Sequence, residues 1–170
     1  MAYDYDKLYG TTEQALGEPT QVFVNFFKAR KETYLRVLDV GCGQGRDALF
    51  NARLGHTMVG VDLSPNGIRD LIKAAKAESL DVKGVVADLV TFAPNGSFDV
   101  VLIDRTLHML KAANRLDVLE RLLKVVGPNG WVLIADERSN MSGFKAVVAA
   151  NSFQWVTELE MGGTLFLRRS

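Results

Sequence analysis

Val37-Leu38-Asp39-Val40-Gly41-Cys42-Gly43-Gln44-Gly45-Arg46 is the stretch that decides the fold. A short apolar run stops in three alternating glycines, just ahead of a helix-like segment. Glycine there removes side chains where a backbone must turn sharply and approach a ligand closely. Taken alone, the pattern fits either a tight strand-to-helix turn or a cofactor loop. Its surroundings narrow the choice.

From Leu35 onward, short β-rich runs alternate with longer helical patterns. Strands are expected over 36–40, 57–61, 82–87, 98–103 and 131–135, with helices over 45–54, 66–79 and 116–126. Such alternation implies an α/β fold, a doubly wound and mostly parallel sheet with helices on both faces. The strands are nearly all apolar, as burial on both sides requires. Ser64-Pro65 supplies an N-cap and a first-turn proline for the second helix. Gly127-Pro128-Asn129-Gly130 stops the third and turns the chain into the fifth strand. Runs over 153–160 and 164–169 flank Met161-Gly162-Gly163 and read as an antiparallel hairpin at the sheet edge. The first 34 residues read as one or two helices, with 20–29 the clearer one.

At 170 residues the chain suits one domain with a core that needs no staples. Twenty Lys plus Arg balance twenty Asp plus Glu, which argues against a general polyanion binder while leaving room for a local basic patch. The lone Cys42 excludes an internal disulfide and suits a reducing compartment. Polar residues interrupt every apolar run well short of a membrane span. The start, Met1-Ala2-Tyr3-Asp4-Tyr5-Asp6, lacks a secretory signal, so a cytoplasmic location is expected.

Open α/β sheets bind ligands beyond the carboxyl ends of their strands, and here those ends are polar. The second strand runs into Asp62, 23 residues after Asp39, the third into Asp88-Leu89 and the fourth into Asp104-Arg105. A carboxylate at the position of Asp62 accepts hydrogen bonds from both hydroxyls of a ribose. A dinucleotide site ordinarily reads G-x-G-x-x-G. This chain instead reads G-x-G-x-G, preceded by Asp39.

With that motif the chain resembles the class I S-adenosylmethionine-dependent methyltransferases. The resemblance extends over residues 37–136. It includes Val59-Gly60-Val61-Asp62-Leu63-Ser64, Ala87-Asp88-Leu89, Phe98-Asp99-Val100-Val101 with Leu107-His108-Met109-Leu110, and Gly127-Pro128-Asn129-Gly130-Trp131-Val132-Leu133. Asn129 replaces a more usual glycine. Gly43-Gln44-Gly45-Arg46-Asp47 and Leu54-Gly55-His56 look most like the small-molecule branch that holds the tellurite-resistance and thiopurine methyltransferases.

The resemblance implies a seven-stranded Rossmann-like sheet and S-adenosylmethionine as cofactor. Asp39, Gly41 and Gly43 would line its amino-acid and sulfonium end, with Gly45, Arg46 and Asp104 completing the cofactor set. Asp62 would hold the ribose, Leu63 would pack on the adenine, and Asp88 with the Leu89 amide would meet the adenine edge. Each carries a plainer alternative: Asp39 ordering the loop, Asp62 capping the next helix, Asp88 serving as a turn residue. Cys42 reads as a small filler.

Methyl transfer asks a protein to align the acceptor and, where needed, take its proton. His108 is the candidate base, since an imidazole's ordinary pKa of about 6.5 suits that task; packing is the alternative. Asp104 and Arg105 are further acceptor-side candidates, and Arg105 or Arg46 would meet an anion or simply pair with a carboxylate. Asp104, Asp136 and Glu137 resemble magnesium-binding carboxylates of catechol O-methyltransferases, but Glu137 stands where that family usually has asparagine, so no metal is expected. Residues 1–34 are expected as a helical segment whose Tyr3, Tyr5 and Tyr9 suit either a lid or a frayed terminus with incidental tyrosines, and 35–170 as the cofactor-binding domain. The partner expected is a small-molecule acceptor, with neither nucleic acid nor membrane, and the protein a monomer or homodimer. A cofactor-binding protein without catalysis and a nicotinamide oxidoreductase are the competing readings.

Overall fold

Val37, Leu38, Asp39 and Val40 are all buried. Successive strand side chains point to opposite faces, so both faces of their strand are covered. This computed structural model describes residues 3–170, which fall into two compact units divided after Leu89. Met1 and Ala2, the start of the expected N-terminal segment, lie outside the described residues.

The first unit runs α1 (Tyr5–Thr11), α2 (Gln21–Lys28), β1 (Arg36–Val40), α3 (Arg46–Arg53), β2 (Thr57–Asp62), α4 (Pro65–Ala77) and β3 (Val82–Val86). β2 lies between β1 and β3, parallel to both, with Asp39 level with Gly60 and Asp62 level with Val86. α4 starts as expected: Ser64 caps it by accepting from the Gly67 N–H at 2.9 Å, and Pro65 opens the first turn. Ile68, Leu71 and Ala75 form its buried face.

The second unit runs β4 (Phe98–Asp104), α5 (Ala112–Lys124), β5 (Val126–Ala135), α6 (Met141–Ala150), β6 (Trp155–Met161) and β7 (Thr164–Arg169). β4 and β5 are parallel, while β7 pairs antiparallel with both β5 and β6. The seven strands form one mixed sheet in the order β3-β2-β1-β4-β5-β7-β6. Its first five strands follow the doubly wound order, and the expected hairpin ends it. No helix among the described residues is long and apolar enough to cross a membrane.

Two boundaries and one element depart clearly from expectation. β5 begins at Val126 and not at 131, because Gly127–Gly130 is accommodated within the strand as an irregularity. Val126 pairs with Phe98, and pairing resumes at Trp131 with Val100. Gly130 permits this, since a Cβ there would lie 2.9 Å from the Asp99 carbonyl oxygen. α5 starts at Ala112, four residues before the expected 116, behind Lys111, which makes no side-chain cap for a reader to find. α6 lies where the sequence suggested no element: its Gly143, Val147 and Val148 are weak helix signals, and the burial of Met141 and Phe144 holds it.

Gly45 and Gly55 both adopt left-handed backbone, with φ of +86° and +93°, yet a Cβ at Gly45 would collide with Leu71 whereas one at Gly55 meets nothing within 4 Å. Gly55→Ala should therefore cost about 1–2 kcal/mol for backbone strain alone. Gly45→Ala should cost about 1–3 kcal/mol more for the displaced core. Urea unfolding followed by circular dichroism measures both, and equal losses would refute the close approach to Leu71.

Candidate functional site

The glycine loop after β1 is built by its own amides. The N–H groups of Gly41 and Cys42 both donate to the Val61 carbonyl, at 2.8 and 3.0 Å, and the Gly45 N–H donates to Cys42 O at 2.8 Å. Gly41, Gly43 and Gly45 all have positive φ, the region that excludes most side chains. The Gly43 N–H donates to Asp62 Oδ2 at 2.8 Å, and the Ser64 N–H donates to Asp62 Oδ1 at 2.8 Å. Asp62 thus ties the loop after β1 to the turn after β2. Burial pushes its carboxyl up, partly offset by the surrounding amides of Ser64, Gly43 and Leu63, while the nearby Asp6 charge pushes it up further.

The other candidates of this unit take distinct positions. Asp39 lies inside β1, buried, level with the side-chain-free Gly60. Leu63 is 68% exposed immediately after β2. Past β3, Asp88 is exposed and Leu89 buried. Arg46 pairs with Asp47 at 3.0 Å and donates to the Leu16 carbonyl at 3.4 Å, the carboxylate-pairing alternative. Burial raises the Cys42 thiol well above its ordinary range, and the side chain packs where a Cβ at Gly60 would lie 2.8 Å from its sulfur. That is filler geometry.

The N-terminal segment is strapped across the same loop. Gln44 Nε2 donates to Thr12 O at 2.8 Å and Asp70 Oδ2 at 2.9 Å, while its Oε1 accepts from the Ala15 N–H at 2.9 Å. Asp6 accepts from Ser64 Oγ at 2.5 Å and from the Asn66 N–H and Nδ2 at 3.0 and 2.9 Å. Tyr9 is buried, and a Cβ at Gly43 would lie 2.6 Å from its hydroxyl. Tyr5 packs at a tilt against Tyr9 with centroids 5.9 Å apart, whereas Tyr3 is exposed. Asp6 and Asn66 were not foreseen, because the contact spans 60 residues and neither sits in a recognisable motif.

In the second unit, β4 ends in Asp104, whose side chain is 4% exposed and 3.3 Å from Arg105 Nε. Arg105 has a positive φ of 49°, fixed by its N–H donating to the Ala135 carbonyl at 2.6 Å. His108 follows in a 3-10 turn, Leu107–Met109, and its backbone N–H donates to Asp136 Oδ2 at 3.1 Å. Asp136 also accepts from the Glu137 N–H at 2.8 Å and Asn140 Nδ2 at 2.7 Å. A carboxylate so engaged suits hydrogen bonding better than metal ligation. Among the described residues no group of three His, Cys, Asp or Glu gathers as metal ligands would.

The model of the methyltransferase domain family matches residues 37–130. Ubiquinone biosynthesis O-methyltransferases are similar in sequence: that of Burkholderia cenocepacia is 29% identical over 132 residues, covering 76% of this chain and 55% of that protein. The Burkholderia vietnamiensis protein is 30% identical over 133 residues, with the same coverage. The chain therefore spans about half the length of these curated relatives. Among solved structures, the magnesium protoporphyrin IX methyltransferase of Synechocystis, with bound SAM, superposes at a TM-score of 0.76 and 16% identity, covering 99% of both chains. TehB from Haemophilus influenzae gives 0.71 at 18% identity, covering 98% of this chain and 66% of that one. At such identities the likeness is one of fold.

The Asp6 latch has a definite pH sign. Its hydrogen bonds, that from Ser64 foremost, hold its carboxyl below the ordinary 3.8. The latch is therefore complete above pH 3.8 and is lost as the pH falls through the lowered value. Asp6→Ala should reproduce that loss at neutral pH. Amide hydrogen exchange over residues 5–16 should quicken in the variant, and unchanged exchange would contradict the latch.

Proposed function

This chain belongs to the methyltransferase domain family, and from that premise we propose that it transfers a methyl group from S-adenosylmethionine to a small-molecule acceptor. The observation that carries the reading is how the glycine loop spends its amides. Gly41, Cys42, Gly43 and Gly45 all donate within the protein. A pyrophosphate needs such donors pointing at it, so these four amides favour a cofactor without one.

What the loop and the β2 end offer instead is a carboxylate and an apolar surface. Asp62 keeps acceptor capacity beyond its amide partners for the hydroxyls of a ribose. Leu63, 68% exposed, offers the flat contact an adenine ring requires. Asp88 and the Leu89 amide would meet the adenine edge, and Asp39, Gly41, Gly43, Gly45 and Arg46 would frame the amino-acid end. When bound, the cofactor supplies a methyl carbon activated by a positive sulfur.

The names of the O-methyltransferase relatives favour a hydroxyl acceptor. Asp104, Arg105 and His108 are the candidates for the acceptor side. The strap over residues 3–17 is proposed as the lid of the cofactor pocket, joined to a methyltransferase domain over 35–170. The setting proposed is cytoplasmic, as a monomer or homodimer. A silent cofactor-binding role is the alternative to catalysis, and S-adenosylhomocysteine release with any acceptor would remove it.

Two measurements test the proposal. Incubation with S-adenosylmethionine and a panel of phenols, thiols, small carboxylates and tellurite should release S-adenosylhomocysteine with one acceptor class. Calorimetry with S-adenosylhomocysteine should show Asp62→Ala weakened by about 2–3 kcal/mol, since charge-assisted hydrogen bonds are lost. That corresponds to roughly 30- to 150-fold in Kd. An unchanged Kd rejects the ribose assignment, and wild-type protein that ignores S-adenosylhomocysteine but binds NAD rejects the cofactor.

A further inference from the structure

Asp136 is the hub of a polar network in the second unit, and its side chain is fully buried. Its Oδ1 accepts from the Glu137 N–H and from Asn140 Nδ2. Asn140 Oδ1 is in turn held by Arg115 Nη1. Arg115 reaches back to the other side of the network, donating to His108 O at 3.2 Å and Leu110 O at 2.7 Å. The His108 backbone closes the circuit on Asp136 Oδ2 at 3.1 Å. A buried carboxylate held this firmly has one orientation.

That orientation faces an imidazole nitrogen. His108 Nδ1 is buried without a hydrogen-bond partner and lies 3.8 Å from Asp136 Oδ2. The histidine side chain is 29% exposed, and with Nδ1 buried that exposure falls on the rest of the side chain. A neutral imidazole carries its proton on one nitrogen and a lone pair on the other. A carboxylate facing Nδ1 draws the proton there, leaves the lone pair on Nε2, and stabilises the imidazolium formed once Nε2 has taken a proton. At 3.8 Å the contact is longer than a hydrogen bond, and such contacts tighten when substrate closes the site.

We propose that Asp136, braced by Asn140 and Arg115, is a positioning residue that holds His108 as its Nδ1–H tautomer, so that Nε2 deprotonates the methyl acceptor. The inference rests on the methyl-transfer reading above. In the step it assigns, the acceptor's O–H bond breaks and its proton goes to Nε2. The electron pair left on oxygen bonds the methyl carbon, and the carbon–sulfur pair returns to sulfur. Nothing is oxidised or reduced. A base is useful only where the attacking atom carries a proton, which selects hydroxyl acceptors of phenol type over oxyanions such as tellurite. Met109, 53% exposed and next in the chain, offers thioether surface to an aromatic ring.

His56 and His108 are the protein's two histidines, so long-range proton–nitrogen correlation spectra contain two imidazole patterns, assigned with His108→Gln. At pH ~8.5, well above the ~6.5 of a free imidazole, wild-type His108 should show protonated Nδ1 and bare Nε2. Asp136→Asn should abolish that preference. A wild-type Nε2–H pattern overturns the inference without needing the variant to fold, and a pattern that persists in Asp136→Asn overturns the role of Asp136. S-adenosylhomocysteine binding in the same samples separates the two levels. Binding with the wrong tautomer sinks only this inference, whereas no binding sinks the methyl-transfer reading beneath it.

Discussion

The carboxylate of Asp62, shared between the Gly43 and Ser64 amides, is the constraint on which the first unit depends. A partly buried charge is tolerable only when hydrogen bonds replace its lost water, and here two separate turns provide them. The glycine loop cannot move without leaving that charge unpaired, and neither can the start of α4. Ser64 extends the arrangement: it caps α4 with the same hydroxyl that donates to Asp6. One carboxylate and one serine thus join β1, β2, α4 and the N-terminal helix.

The clamp also decides what the loop can recognise. Because the Gly41, Cys42, Gly43 and Gly45 amides are engaged within the protein, the proposed reading gives recognition to side chains beside the loop: Asp62 for hydroxyls, Leu63 for a flat ring. The second unit repeats the principle with a different result. There the buried carboxylate of Asp136 is engaged by two amides and Asn140, and its residual field falls on an imidazole. Under the proposals above, the first arrangement serves binding and the second proton transfer.

Sequence reading reached the local signals and missed the long-range ones. The glycines, the Ser64-Pro65 cap and the two-sided burial of β1 were legible because each is a short pattern with a direct physical cause. The narrower likeness to tellurite-resistance enzymes rests on short segments. Asp62 was placed correctly as a strand-end carboxylate, but its grip on Gly43, 19 residues away, needed the register of β1 against β2. The grip of Asp136 on the His108 backbone is not legible in the sequence, since the two lie 28 residues apart. α6 escaped because burial of Met141 and Phe144, not helical periodicity, sustains it.

Amide correlation spectra recorded while S-adenosylhomocysteine is added test the central claim most directly. The account predicts shifts concentrated at residues 41–46, 62–64 and 88–89, with NAD at the same concentration leaving those amides unmoved. An unresponsive glycine loop, or one that answers NAD in place of S-adenosylhomocysteine, would contradict it.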